Sequence, residues 1–189
     1  MGIDREKRRA VFLDRDGVIN RAHVRDGRPH PPAGVDELEV LPGVPDALRR
    51  LKAAGYFLVV VTNQPDVARG TQSRGAVEAI HTRLAALLPV DEFRTCYHDD
   101  EDGCLCRKPK PGLILDSARA HHVDLAASVL VGDRWRDIEA GKQAGCRTVF
   151  VDHGYAEGRP EQPDAVAGSL AEAADWILSR KSDSSHEAH

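Results

Sequence analysis

The 189 residues, 41% hydrophobic and 30% charged, suffice for one soluble domain with a sizeable core and fall short of two ordinary ones. A net charge of −4 offers no basic field for a polyphosphate backbone, which argues against nucleic acid, and no apolar run approaches the roughly 20 residues that span a bilayer. The opening Met1-Gly-Ile-Asp-Arg-Glu-Lys-Arg-Arg9 has no apolar signal segment, so the expectation is a cytoplasmic monomer without membrane partners.

In chain order, Val11-Phe-Leu13 reads as a buried strand, and Asp14 and Asp16 leave its end together, with Gly17 easing the turn. Arg21 to Glu39, rich in Pro, Gly and charge, reads as a long loop. A helix follows from about Val44 to Ala54, with Leu48 and Leu51 inward and Gly55 as its stop. Tyr56 to Val61 is apolar throughout, as in a parallel strand covered on both faces. After a loop from Pro65 to Gln72, Val77, Ile80, Leu84 and Leu87 mark a helix over about Ser73 to Leu88. Phe93 to Tyr97 is a third strand, and a cysteine-rich loop from Cys96 to Cys106 leads through Arg107-Lys-Pro-Lys-Pro-Gly112 to a helix at Leu113–His121. Ser128–Gly132 and Arg147–Val151 are further strands, separated by a helix over Asp137–Ala144. A last helix, Leu170–Arg180, packs Leu170, Ala174 and Ile177, and the tail from Lys181 to His189 is expected to be disordered. This alternation predicts one domain over residues 1–180 with a doubly wound, Rossmann-like parallel α/β sheet and a ligand site beyond the strands' carboxyl ends.

The polar signatures collect at those ends. Asp14 and Asp16 would not both stay ionised without a compensating charge, and Mg2+, a hard cation taking oxygen ligands, is the obvious one. Asp133, after Val129-Leu-Val-Gly132, delivers a third carboxylate, with Asp137 a turn behind it. Thr62, Asn63 and Gln64 follow the second strand and Lys108 follows the cysteine-rich loop, so a hydroxyl, backbone N–H groups and a point charge are at hand for a phosphate. Separately these are ordinary turn and surface residues; together, in this order, they describe a phosphoryl site.

Leu13-Asp-Arg-Asp-Gly17, Val61-Thr-Asn63, Lys108 and Gly132-Asp133 with Asp137 resemble, in order, the four motifs of haloacid dehalogenase (HAD) superfamily phosphatases. Within that superfamily the chain looks like the D-glycero-D-manno-heptose 1,7-bisphosphate 7-phosphatases, which are related to histidinol-phosphate phosphatases. The resemblance runs from about Arg9 to Trp176. It implies Asp14 as nucleophile, through an aspartyl-phosphate, and Asp16 as general acid/base. It further implies Mg2+ on Asp14, the Asp16 carbonyl and Asp133, with Asp137 behind them, and a phosphoryl group held by Thr62 and Lys108. Arg107 and Arg134 take the positions that read the substrate in that family, Arg134 where lysine is frequent. With no long insertion to build a cap, loops alone would read a small phosphorylated sugar.

Cys96, His98, Cys104 and Cys106 supply three thiolates and an imidazole, a full tetrahedral set for a structural Zn2+, directly before Arg107-Lys108. Reduced cysteines and a surface histidine are the plain alternative. Cys146 reads as a small core residue and His121-His122 as exposed, while His23, Arg25 and Arg69 lie in loops expected beside the site. A non-catalytic zinc-stabilised module that binds phosphometabolites is the rival from another class. Asp16 argues against it, because a mere phospho-acceptor needs no second acid.

Overall fold

Arg9 to Leu13 lies at the centre of everything that follows: β1 (Ala10–Leu13) is buried along its whole length. The computed structural model describes residues 7–184, with side chains to Arg180. After β1 come a hairpin of β2 (His23–Arg25) and β3 (Arg28–His30), then α1 (Val44–Ala53), β4 (Phe57–Asn63), α2 (Arg74–Leu87) and β5 (Glu92–Cys96). The second half adds α3 (Gly112–His121), β6 (Val129–Gly132), α4 (Trp135–Ala144), β7 (Arg147–Val151), β8 (Ala165–Ala167) and α5 (Leu170–Ser184).

Six parallel strands form one sheet in the order β5-β4-β1-β6-β7-β8. Phe12 is in register with Val59 on one side and Leu130 on the other. Side chains alternate along a strand, and the core divides accordingly. Val11 and Leu13 pack with Leu48 and Leu51 of α1, Ile80 and Leu84 of α2 and Ile177 of α5. Ala10 and Phe12 pack on the other face with Ile114 of α3 and Ile138 of α4. The chain winds outward from β1 in both directions, so the connections leaving β1 and β6 part company and open a crevice at their carboxyl ends. No helix among the described residues is long and apolar enough to cross a membrane.

Four expectations need correcting. The stretch read as a loop contains a hairpin whose two-residue turn, Asp26-Gly27, has φ of 51° and 72°. Asp-Gly is the composition that such a turn favours, but strands this short show no hydrophobic alternation. A sixth strand, β8, is only three small residues and announces itself no better. The last helix continues through Ser184, so Lys181–Ser184 is helical rather than disordered; residues 185–189 lie outside the described residues. Leu87 is 49% exposed, because the buried stripe of α2 is Val77, Ile80, His81 and Leu84.

Candidate active site

β1 and β6 still hydrogen-bond as they end, Asp14 N to Val131 O at 2.9 Å, so Asp14 and Asp133 emerge side by side. Gly17 turns the chain away from β1 at φ 95°, and a Cβ there would collide with the Asp133 carboxylate. Its carbonyl accepts a 2.6 Å hydrogen bond from His153 Nε2.

Lys108 is buried, and its ammonium bonds Asp14 Oδ1 at 2.6 Å, Asp137 Oδ1 at 2.6 Å and the carbonyl of Val61 at 2.7 Å. Burial works against its charge, yet Asp137 and Asp14 together hold the proton more firmly than usual. Asp137 is fully engaged, since its Oδ2 accepts from the Arg134 backbone N–H at 3.0 Å and caps α4. Asp133 is the opposite case: both oxygens are buried, and the Tyr155 hydroxyl is the neighbour that donates towards them, short of full hydrogen-bond geometry. Burial, then the charges of Asp14 and Asp137, push its carboxyl well above the ordinary range. Burial likewise lifts Asp14 to about 6, with Lys108 pulling it down and Asp137 and Asp16 pushing it up. Carboxylate oxygens of Asp14, Asp133 and Asp137 all lie within 4.8 Å of one another. A buried carboxylate this sparsely paired, beside a second one, is a fitting place for a hard dication.

Asp16 points elsewhere. Its carboxylate receives Arg15 Nε and Nη2 at 3.1 and 3.0 Å, Asn20 Nδ2 at 2.9 Å and Gln64 Nε2 at 2.8 Å. Burial raises its pKa, but the Arg15 charge and these hydrogen bonds outweigh burial and hold it below the ordinary value. Only its backbone carbonyl is then free to serve a cation.

Asp133 lines a small cavity, and beside it Asp14, Asp16, Lys108 and Asp137 form the floor of a larger one of about 600 Å3. Thr62, Arg107, Arg134 and Arg69 line it, as the sequence suggested, whereas His23 and Arg25 do not. His23 lies 3.6 Å from Glu37 instead. Two expected substrate contacts have other duties. Gln64 is fully buried and bonds Asp16 and Thr62 Oγ1. Asn63 reaches the cavity, but its amide bonds both Lys108 O at 3.0 Å and Lys108 N at 3.1 Å, fixing the backbone that carries the ammonium. Arg107 forks onto Asp100 at 2.8 and 3.2 Å, Arg134 onto Glu157 at 2.8 and 2.5 Å, and Arg69 onto Asp99 at 2.6 Å. Sequence reasoning missed Arg28 and His30 of β3 and Arg136 of α4, all on the cavity wall. The Asp-Gly turn was the signal that could have brought Arg28 and His30 forward.

Cys96, His98, Cys104 and Cys106 do converge. The sulfur of Cys96 lies 3.7 Å from that of Cys104 and 3.0 Å from that of Cys106, and Cys106 lies 3.5 Å from Cys104. His98 Nδ1 is 3.6 and 3.3 Å from Cys96 and Cys106. A tetrahedron with metal–sulfur bonds of ~2.3 Å has S···S edges of roughly 3.8 Å; the Cys96–Cys104 distance matches that, and the pairs with Cys106 are shorter. Gly112 lets the loop settle on α3, where any Cβ would strike the Leu105 carbonyl.

Fold and site together define a hydrolase of the HAD type, and residues 105–173 match the family model described as HAD-hydrolase-like. The chain is 38% identical over 181 residues to the D-glycero-beta-D-manno-heptose-1,7-bisphosphate 7-phosphatase of Bordetella bronchiseptica, covering 89% of this chain and 97% of the relative. It is 36% identical over 186 residues to the Escherichia coli K12 enzyme of that name, covering 92% and 90%. Among solved structures, the B. bronchiseptica phosphatase complexed with magnesium and phosphate aligns with a TM-score of 0.74 at 36% identity, over 91% of this chain and 99% of that one. The Burkholderia thailandensis heptose bisphosphate phosphatase aligns at 0.63 and 31% identity, over 91% and 99%. The chain belongs to the family of D-glycero-D-manno-heptose-1,7-bisphosphate 7-phosphatases, and it is a phosphatase.

Proposed function

We propose that this phosphatase is Mg2+-dependent, works through an aspartyl-phosphate on Asp14 and removes the 7-phosphate of D-glycero-D-manno-heptose 1,7-bisphosphate. The carrying observation is the pairing where β1 and β6 end: Asp14 has one oxygen held by Lys108 and stands beside Asp133, a buried carboxylate with no cation of its own and only the Tyr155 hydroxyl donating towards it. Bound there by Asp14, Asp133 and the Asp16 carbonyl, Mg2+ would supply the positive charge that offsets repulsion between a carboxylate and a phosphate dianion. Asp14 attacks phosphorus while the ester P–O bond breaks, and the departing alkoxide takes a proton from Asp16. Water then attacks the aspartyl-phosphate, Asp16 takes its proton, and inorganic phosphate and free Asp14 are left. The donors around Asp16 keep it ionised in the ligand-free protein, and an arriving dianion raises its proton affinity. Lys108 and the Thr62 hydroxyl face the phosphoryl oxygens.

The outer wall supports an anionic leaving group. Beyond the floor it carries five arginines, Arg28, Arg69, Arg107, Arg134 and Arg136, against the carboxylates Asp66, Asp100 and Glu157. A cationic amino alcohol such as histidinol phosphate, the alternative substrate, finds less to pair with. Arg107 and Arg134 keep N–H groups to spare beyond their forks, and no carboxylate partner for Arg28 is found among the described residues. Truncating Arg28 or Arg107 to Ala should raise KM for the bisphosphate by roughly ten- to a hundredfold, the worth of a charge-assisted contact, and barely change p-nitrophenyl phosphate. Equal losses on both substrates would remove the support for a distal phosphate. Asp14→Asn should keep the fold by circular dichroism and lose essentially all turnover; substantial residual phosphate release would overturn the nucleophile. The four converging ligands also support a structural zinc, expected at about one ion per chain by metal analysis of the protein as purified.

A further inference from the structure

Arg15 stands between the two catalytic aspartates and is the largest of the fully buried side chains. Of its guanidinium N–H groups, Nε and Nη2 fork onto the two oxygens of Asp16, and Nη1 lies 3.1 Å from Nε2 of His81. Arginine only donates, so His81 Nε2 accepts, which requires the neutral ring with its proton on Nδ1. His81 belongs to α2 and stacks on Phe93 of β5, centroids 4.9 Å apart and ring planes 24° apart, so its ring plane is fixed from outside the site. It is the polar member of an otherwise aliphatic stripe, Val77, Ile80 and Leu84, at a place where a leucine would serve packing alone.

We propose that His81 is a positioning residue for the reaction: by accepting from Arg15 it sets the plane of the guanidinium, and through that fork the orientation of the Asp16 carboxylate. Asn20 and Gln64 each reach one oxygen of Asp16, and only Arg15 spans both. The arrangement therefore ties the geometry of the group that meets the leaving alkoxide to a ring on a helix outside the cavity. It rests on the acid/base reading of Asp16 given above.

The test uses the whole protein with Mg2+ and two substrates, the heptose bisphosphate and p-nitrophenyl phosphate. The second has a leaving group stable enough to depart without a proton, so kcat/KM for it does not depend on a well-placed acid. His81→Phe keeps the ring and removes the acceptor; His81→Gln keeps an acceptor. We expect His81→Phe to lower kcat/KM about tenfold or more for the sugar ester and less than about threefold for p-nitrophenyl phosphate, with His81→Gln near wild type on both. Where the Phe variant does not fold, His81→Asn, whose shorter chain withdraws the acceptor, should give the same selective loss. Equal losses on both substrates, no loss at all, or a Gln variant as impaired as Phe would each overturn the proposal. Asp16→Ala, run alongside, must show a larger selective loss; without one, the acid role of Asp16 falls and this inference with it.

Discussion

Asp133 keeps two carboxylate oxygens buried with no cation beside them and only the Tyr155 hydroxyl donating towards them, an arrangement that costs stability and suits a charge brought from outside. In chelator, Asp133→Asn should therefore melt higher than the wild type, by roughly 1–2 kcal/mol or a few degrees. Added Mg2+ should raise the melting point of the wild type alone. A variant that melts lower under both conditions would mean that Asp133 is satisfied by the fold itself. His81 gives a second prediction. Burial and then the Arg15 charge push it down to about 4 from an ordinary 6.5, with Asp16 and Glu78 pulling weakly the other way. At this site the unfolded chain thus binds a proton that the folded one refuses, and the contribution of His81 to stability is lost as pH drops from about 6.5 towards about 4. Urea unfolding at about pH 7.5 and about pH 5 should show that decline in the wild type and a shallower one in His81→Gln. Neither His81 nor Arg15 was legible as functional, because nothing local says that a buried arginine in the turn after β1 and a histidine on α2 will meet. The placement of Asp14 and Asp133 was legible, since each directly follows a buried strand whose end fixes its place, and Asp16 comes two residues after Asp14. Asn63 and Gln64 share that address but not that role: the sequence places residues at a strand end without saying which way their amides turn.

The convergence of Cys96, His98, Cys104 and Cys106 is the feature most fully readable in advance, because the four lie within one short segment and need no distant partner. What it steadies is less apparent. Lys108 follows Cys106 closely, yet Asn63 grips its backbone on both sides and two carboxylates hold its ammonium. The loop's own acids, Asp99 and Asp100, hold Arg69, Arg107 and Arg136. Removing the zinc proposed for this loop should accordingly disturb the outer wall before the floor. In Cys104→Ser, KM for the bisphosphate should rise severalfold while kcat on p-nitrophenyl phosphate stays within about threefold. A collapse of kcat on both substrates would show that Lys108 depends on the metal after all.

Across the whole molecule, the alternation of apolar runs and helical stripes announced a parallel doubly wound sheet, and β1 lies at its centre with both neighbours in register. The parts that escaped notice, β8 and the β2–β3 hairpin, bury too little to leave a pattern. Phe12→Ala, in the middle of β1, should cost about 3–5 kcal/mol, measurable by denaturant unfolding. The hairpin should behave quite differently. Its tip rests on the segment after β7 through a hydrogen bond of 3.1 Å from Ala156 N to Gly27 O, and between Arg21 and Gly43 only Pro32 is buried. Exchanging Val24–Pro29 for an unrelated turn should shift the melting point by only a few degrees while erasing discrimination between bisphosphate and monophosphate esters. A lineage carrying this fold can thus sample new rims by insertion, deletion and point change without risking its sheet, and a chemist seeking a phosphatase for an unfamiliar sugar has the same freedom at the same place.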